Sequence, residues 1–152
     1  MKRKGAGQKP KNKKYLIGKV KQVEAPNFVM NPAELKEYLP SGEKFNIKRV
    51  YWFTNPKGEK KSGQHAHTNE DEIFIILQGN ADIILDDSGK RKRSIKLEKN
   101  HVVWVPRYVW HGFDSLSSGS IVLALTNTNY DPKRKGYIND YQDFRAYLAK
   151  KK

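Results

Sequence analysis

Residues 63–67 read Gly-Gln-His-Ala-His, and this stretch decides both the predicted fold and the predicted chemistry of the chain. Because side chains alternate between the two faces of a β-strand, His65 and His67 point the same way if the stretch is a strand. Two imidazoles aimed into one cavity build either a metal site or a pair of acid–base groups. The residues that complete the pattern follow further along the chain: Glu72, Gly79, Pro106 and His111.

The composition limits the chain to a few classes of protein. It has 152 residues, enough for one domain with a hydrophobic core and too few to expect two. It has no cysteine, which excludes disulfides, thiolate metal sites and a cysteine nucleophile. No apolar run is long enough to span a bilayer, and the basic N-terminus lacks the apolar segment of a secretory signal. We therefore expect a cytoplasmic protein without a membrane partner.

Basic residues are concentrated at the two ends of the chain. The net charge is +14, and residues 1–22 hold nine lysines and arginines without a single acid. Such a charge favours anionic partners, such as phosphorylated metabolites or nucleic acids. No nucleic-acid recognition motif accompanies it, so we do not expect nucleic-acid binding. We predict a flexible basic arm at residues 1–14, one domain at residues 15–149 and a basic tail at residues 150–152.

Short strand patterns separated by turn residues dominate the rest of the chain. Many such strands at close spacing predict an all-β antiparallel sandwich or barrel. One helix is predicted at residues 31–39, with Asn31 as its N-cap, and another at residues 137–149, where apolar residues recur at helical spacing. The predicted strands cover residues 15–20, 47–54, 63–67, 72–77, 81–85, 92–97, 102–105, 110–114 and 120–126.

The spacing of the histidine pattern resembles the two sequence motifs of the cupin superfamily. The first motif runs from Gly63 through the two histidines to Gly79, and the second runs from Pro106 to His111. The resemblance implies a double-stranded β-helix, or jelly roll, with short peripheral helices and with both motifs on neighbouring strands inside one barrel. The chain departs from the second motif at Tyr108, where the superfamily usually has glycine.

A longer set of segments resembles the sugar-nucleotide 3,4-ketoisomerases within that superfamily. The likeness covers about residues 45–148 and includes residues 45–51, 85–87 and 130–144 besides the two motifs. It implies an isomerase that acts on dTDP-4-keto-6-deoxyglucose, on the way to amino sugars of surface polysaccharides. The ketone would move from C4 to C3 through an enediol without a metal or other cofactor. The resemblance also implies a homodimer.

The same resemblance implies roles for particular side chains. His65 and His67 are expected to act as base and proton shuttle, because an imidazole titrates near neutral pH. Tyr51, on the preceding strand, is expected to be the hydroxyl donor. Arg49 is expected to hold the diphosphate or to orient Tyr51. The expected substrate contacts are Arg49, Arg107, His111 and Trp52.

Two residues depart from the pattern of these isomerases. Ser62 stands where the family usually has arginine, and Trp52 stands where it often has a second tyrosine. A lysine near Ser62 could supply a point charge but not the bidentate fork of a guanidinium. Because this arginine is absent, an alternative interpretation is a non-catalytic domain that binds a nucleotide sugar.

Glu72 supports a different class of enzyme. The ketoisomerases tend to carry a neutral residue there, whereas Glu72 completes a set of three imidazoles and one carboxylate with the histidines of the two motifs. Such a set suits iron, manganese, nickel, copper or zinc, so a metal-dependent cupin is the alternative reading. Its candidate ligands are His65, His67, Glu72 and His111. Glu72 also starts an apolar strand and could simply face solvent at its edge.

The aromatic residues outside the two motifs are expected mainly to pack. Trp104 and Trp110 are predicted to belong to the core. Tyr130, Tyr137 and Tyr141 are expected to anchor the C-terminal tail. Tyr137 or Tyr141 could instead stack on a nucleotide base.

Overall fold

The computed structural model describes most of the chain. It covers residues 21–24, 39, 43–55, 57–58, 61–87 and 91–151. The predicted arm at residues 1–14, the predicted strand at residues 15–20 and the predicted helix at residues 31–39, except Leu39, lie outside the described residues.

The described residues form ten β-strands and one α-helix. The strands predicted between residues 47 and 126 are all confirmed, with ends that differ by at most two positions. No helix in the described part of the chain has the length and apolarity needed to cross a membrane. The elements are β1 (Lys21–Glu24), β2 (Arg49–Thr54), β3 (Ser62–His67), β4 (Glu72–Gln78), β5 (Asn80–Asp86), β6 (Lys92–Glu98), β7 (His101–Val105), β8 (Trp110–Phe113), β9 (Ile121–Thr126), β10 (Tyr137–Ile138) and α1 (Tyr141–Ala149).

Two five-stranded antiparallel sheets pack against each other. The strand order is β1-β7-β4-β9-β2 in the first sheet and β10-β3-β8-β5-β6 in the second. Consecutive strands such as β3, β4 and β5 alternate between the sheets, so the chain passes repeatedly from one layer to the other. This arrangement is typical of a jelly roll, and it confirms the all-β prediction.

The main hydrophobic core lies between the two sheets. Along β4, Phe74 and Ile76 point into this core. The intervening Ile73 and Ile75 belong to a second apolar cluster on the outer face of the first sheet. Because alternate residues of a strand face the same side, Glu72 points inward with Phe74. The apolar strand that follows the first histidine motif therefore delivers a carboxylate to the barrel interior and not to solvent.

The C-terminal helix begins later than its spacing predicts. The prediction is wrong for its first four residues, because Tyr137–Ile138 forms strand β10 and pairs with β3. Asp140 starts the helix as its N-cap. Its side chain accepts hydrogen bonds from the backbone N–H groups of Gln142 and Asp143. Asp140 thus separates the helix from strand β10, which the helical spacing of this segment did not predict.

Helix α1 holds the last strand in place. Phe144 is fully buried against Ala66 and Trp110. The hydroxyl of Tyr141 donates a hydrogen bond of 2.7 Å to Asp86 on β5. These contacts attach the helix to the second sheet, and β10 is thereby held at the edge of β3.

Candidate active site

Four ionisable side chains meet inside the barrel. His65 and His67 come from β3, and His111 lies directly opposite His65 on β8. Cross-strand partners share a face of the sheet, so all three imidazoles point inward. Glu72 reaches them from β4 of the other sheet. One nitrogen or oxygen atom of each residue lies within 4.8 Å of the others, so the structure brings these four residues together.

A chain of polar contacts links the imidazoles to the carboxylate. Nε2 of His65 lies 2.9 Å from Nε2 of His67, and Nε2 of His67 lies 3.2 Å from Oε2 of Glu72. Nε2 of His111 approaches the same carboxylate oxygen at 2.9 Å. His67, His111 and Glu72 are each at most 2% exposed, so these contacts are made away from bulk water.

The backbone determines which nitrogen of His111 carries a proton. Nδ1 of His111 lies 3.0 Å from the carbonyl oxygen of Val109. A carbonyl oxygen only accepts hydrogen bonds, so Nδ1 carries the hydrogen. A neutral ring would then place the lone pair of Nε2 against Oε2 of Glu72. This arrangement calls for a proton or a metal cation between the two atoms.

Burial and neighbouring groups shift the pKa values of His65 and Glu72 downward for different reasons. Burial, together with the adjacent His111 and His67, lowers the pKa of His65 to about 3. Burial alone would raise the pKa of Glu72, but hydrogen bonds with His111 and His67 outweigh it and hold that pKa well below its usual range. At neutral pH the cluster therefore combines an ionised carboxylate with a neutral His65.

Two further side chains on β2 frame the cavity. The hydroxyl of Tyr51 donates a hydrogen bond of 2.8 Å to Oε1 of Glu72. The guanidinium of Arg49 binds both oxygens of Glu70 at 2.9 and 3.0 Å and lies 5.2 Å from the ring centre of Tyr51. Thr128 also donates to Glu70. Glu70 is 3% exposed, and no sequence motif singled it out.

The other two predicted substrate contacts, Arg107 and Trp52, differ in their surroundings. Arg107 forms a bidentate pair with Asp71, with both guanidinium contacts at 2.9 Å. Asn127 also donates to Asp71 at 2.9 Å. Trp52 follows the inward-facing Tyr51 on the same strand, so it points to the outer face of the sheet, where it is 68% exposed. The structure therefore does not bring Trp52 to the histidine cavity.

Tyr108 adopts the backbone conformation of the residue that it replaces. Its φ is +66°, in the left-handed region that favours glycine. A non-glycine residue costs about 1 kcal/mol there. The ring of Tyr108 packs against Tyr147, and its backbone N–H donates to the carbonyl oxygen of His67 at 2.7 Å. The departure from the second motif thus leaves the backbone path beside the site intact.

Tyr137 lies at the histidine cluster, whereas the sequence predicted only a tail anchor or a residue that stacks on a nucleotide base. It lies opposite His67 in the β10–β3 pairing. Its ring centre is 4.3 Å from that of His67 and 5.1 Å from that of His65. The guanidinium of Arg49 is close enough to its hydroxyl to counteract the rise that burial causes in the pKa of Tyr137. The one local signal was Asp140, because a good N-cap there restricts the helix to later residues.

The fold and the site together define the class of this protein. Two antiparallel sheets in jelly-roll order, with inward histidines on two neighbouring strands, are the features of a cupin. Within that class, the chain belongs to the family described as FdtA: WxcM-like, C-terminal, whose profile matches residues 20–149.

Several proteins similar to this chain are sugar-nucleotide isomerases. A TDP-4-oxo-6-deoxy-alpha-D-glucose-3,4-oxoisomerase from Aneurinibacillus thermoaerophilus is 36% identical over 107 residues, which cover 70% of this chain and 75% of that protein. The structure of WlaRA, a TDP-fucose-3,4-ketoisomerase from Campylobacter jejuni, matches with 30% identity and a TM-score of 0.66, over 84% of this chain and 94% of that one. WlaRB, a TDP-quinovose 3,4-ketoisomerase from the same organism, matches with 32% identity and a TM-score of 0.61, over 67% of this chain and 77% of that one.

Proposed function

We propose that the chain is a sugar-nucleotide 3,4-ketoisomerase that acts on a dTDP-4-keto-6-deoxyhexose. The observation that carries the proposal is the inward-facing pair of imidazoles, His65 and His67, which contact each other, with His67 also in contact with the carboxylate of Glu72. The relatives with 30% identity or more are named as 3,4-isomerases of TDP-sugars, which supports the same reaction here.

The reaction moves a carbonyl group by one carbon and needs no external oxidant. A base removes the proton from C3, and the electron pair of that C–H bond forms a C3–C4 double bond. The C4 oxygen takes up a proton, which gives an enediol. The C3 hydroxyl then loses its proton while C4 accepts one, so the ketone ends at C3. Every step is a proton transfer, which positioned imidazole and phenol groups catalyse well.

We assign the role of base to His67 and the exchange of protons with it to His65. Carboxylate oxygens of Glu72 and Glu70 lie 3.2 and 3.6 Å from Nε2 of His67, so an imidazolium formed there has anionic partners. His65 stays neutral at pH 7, because burial and the adjacent histidines lower its pKa to about 3, so it can relay a proton only by accepting one at one ring nitrogen while it releases the proton on the other. The two histidines thus divide the roles of base and shuttle.

The arginines differ in how well they can bind the diphosphate. The side chain of Arg107 is 41% exposed, so it can contact an anion while Asp71 holds it in place. The side chain of Arg49 is only 16% exposed and is paired with Glu70. We therefore assign the diphosphate to Arg107. We assign the sugar end of the substrate to Arg49 and His111, beside the histidine pair.

The test is to incubate the purified protein with dTDP-4-keto-6-deoxyglucose in D₂O and follow the sugar by proton NMR. We expect the 3-keto isomer to appear with deuterium at C4. His67→Asn should abolish conversion and leave substrate binding intact. His101→Asn, a histidine outside the cavity, serves as the matched control and should retain activity.

Two outcomes would contradict parts of this proposal. Full activity of His67→Asn would remove the acid–base role of that residue. Binding of the nucleotide sugar without conversion by the wild-type protein would favour the non-catalytic binding domain, and the loss of the family arginine at Ser62 would then be the first explanation to test.

A metal-dependent cupin is the second candidate, and the convergence of four ligand atoms within 4.8 Å favours it. The donor set fits a transition metal, because Nε2 of His111 and Oε2 of Glu72 face each other in a way that calls for a cation. His65 and His67 would complete the set. A metal bound there would supply Lewis-acid chemistry.

Elemental analysis of untagged protein separates the two candidates. Near-stoichiometric transition metal that is lost in Glu72→Gln would support the metal-dependent enzyme. No metal, before and after metal is offered, would leave the imidazole pair as acid–base groups. Occupancy unchanged in Glu72→Gln would remove Glu72 as a ligand.

The proposal extends to assembly and cellular role. Val50 and Trp52 are 53% and 68% exposed on the outer face of the first sheet, and we propose that a second copy of the chain covers them in a homodimer. A substrate of this class places the protein in deoxysugar and polysaccharide biosynthesis. The cytoplasmic location expected from the sequence belongs to the same proposal.

A further inference from the structure

Two tyrosine hydroxyls lie at the histidine cluster, and they differ in how their protons are used. The hydroxyl of Tyr51 donates its proton to Oε1 of Glu72 at 2.8 Å. Burial and the nearby Glu72 raise the pKa of Tyr51 far above its usual value, so the proton stays on the phenol. Tyr51 therefore holds the carboxylate in position, and its proton is committed to that carboxylate.

The second tyrosine, Tyr137, is brought to the cluster by the pairing of β10 with β3. It lies directly opposite His67, and cross-strand partners share a face, so its ring points to the same side as the histidines. The ring stacks on His65 at 5.1 Å and meets His67 edge-on at 4.3 Å. Tyr137 is half-buried, so part of its side chain remains accessible beside the cluster.

Arg49 places a positive charge beside the hydroxyl of Tyr137. The guanidinium counteracts the rise that burial and the nearby carboxylates of Glu70 and Glu72 cause in the pKa of Tyr137. A guanidinium can only donate hydrogen bonds, so Arg49 can approach Tyr137 only at the phenolic oxygen and makes no use of the phenolic proton. Arg49 is fixed in turn by its two contacts with Glu70 at 2.9 and 3.0 Å. The tyrosine oxygen therefore lies next to a positive charge that is itself held in position, and its proton can be donated to a ligand.

We propose that Tyr137 donates a hydrogen bond to the sugar oxygen on which negative charge develops as the ketone enolises. This inference rests on the proposed ketoisomerase function and assigns the donor role to Tyr137, while Tyr51 positions Glu72. A donor oriented before the reaction stabilises a developing oxyanion because it needs little reorganisation when the charge appears. Tyr137 would act beside His65 and His67, on the same face of the sheet.

The assignment gives the C-terminal segment a catalytic role. Tyr137 lies on a two-residue strand, and a strand that short depends on its surroundings for its position. Those surroundings are helix α1, which is attached through Phe144 and through the hydrogen bond of Tyr141 to Asp86. The tail that its tyrosines are expected to anchor would thus also deliver an active-site group.

The experiment compares Tyr137→Phe with wild-type protein in steady-state isomerisation of dTDP-4-keto-6-deoxyglucose. Loss of one oriented donor should lower kcat by about 100-fold. KM should change by less than about threefold, because the bond strengthens mainly in the transition state. Tyr147→Phe is the matched control, since it removes the same hydroxyl from a ring that packs on Tyr108, and it should keep wild-type kcat.

Each outcome decides the assignment. An unchanged kcat in Tyr137→Phe, with an active wild-type protein, would overturn the role of Tyr137 and leave the proposed function intact. A loss of activity in Tyr137→Ala but not in Tyr137→Phe would show that only the packing of the ring matters, and it would overturn the donor role as well. Absence of turnover by the wild-type protein would overturn the proposed function and this inference together.

Discussion

At the scale of single residues, Glu72 organises the interior of the barrel. Its carboxylate receives the hydroxyl of Tyr51 on one oxygen and faces His67 and His111 with the other. A buried acid is costly unless each of its oxygens has a partner. Oε1 has the hydroxyl of Tyr51, whereas Oε2 is satisfied only by a proton or a cation between it and the imidazoles. The fourth member, His65, contacts His67 and lies in surroundings that oppose its charge.

The burial of His65 predicts a pH dependence of stability in metal-free protein. In the folded chain the pKa of His65 is lowered to about 3 by burial and by the adjacent histidines, whereas it is near 6.5 in the unfolded chain. Between these values the unfolded state binds more protons, so the free energy of unfolding falls as the pH decreases from about 6.5, by up to about 1.4 kcal/mol per pH unit. His65→Asn should lose stability less steeply.

Urea denaturation at about pH 7, 6 and 5 in the presence of a chelator measures this difference. His101→Asn is the control, because it leaves the buried cluster unchanged and should follow the wild-type slope. Equal slopes for wild-type protein and His65→Asn would contradict a buried, neutral His65.

At the scale of secondary-structure elements, the short connections decide how the sheets meet. Only Gly79 separates β4 of the first sheet from β5 of the second. Its φ is +79°, and a Cβ atom there would lie 2.6 Å from Oγ of Ser117 and 3.0 Å from the backbone of Ser120. Ser117 Oγ also accepts a hydrogen bond from the backbone of Asn80 at 3.0 Å. The crossing between the sheets therefore depends on a residue without a side chain.

Gly79→Ala should lower the free energy of unfolding by about 2 kcal/mol, through backbone strain and through the clash with the serine turn. Gly119→Ala is the matched control: its φ is +73°, but its Cβ would meet nothing closer than 3.8 Å. It should therefore cost only the backbone term of about 1 kcal/mol. Urea denaturation measures both losses. Equal losses in the two variants would show that Ser117 and Ser120 can move aside without lowering the free energy of unfolding.

At the scale of the whole molecule, charge and exposed apolar surface describe how the protein meets other molecules. The net charge of +14 attracts an anionic substrate such as a nucleotide sugar. On the outer face of the first sheet, Trp52 and Val50 are exposed to solvent. They lie on β2, which is an edge strand among the described strands. Edge strands and exposed apolar side chains are surfaces that proteins commonly cover by association.

Trp52→Glu should shift the proposed homodimer toward monomer, because it places a charge in an apolar contact. Sedimentation velocity at several protein concentrations measures the change. Tyr130→Glu is the matched control, since Tyr130 is also 68% exposed but lies outside the strands. A dimer that persists in Trp52→Glu would place the interface on another surface.

Much of the fold could be predicted because its determinants are local. The alternation of inward and outward side chains along β2 to β9 follows from residues that are close together in the chain. The same alternation puts His65 and His67 on one face of β3. The helical spacing after residue 137 misled the prediction for the same reason. The spacing of apolar residues shows which of them would share a face of a helix. It cannot show that Tyr137 and Ile138 pair with the edge of β3 instead.

The sequence by itself determined the all-β class, the strand positions and the inward pair of histidines, because each follows from side-chain alternation and turn residues close together in the chain. Only the tertiary structure decided which groups meet that pair. Tyr137 reached the histidines through a strand pairing, Arg49 was bound by Glu70, and Trp52 was turned to the outer face. Such contacts join segments that are far apart in the chain, so they cannot be predicted from the spacing of neighbouring residues.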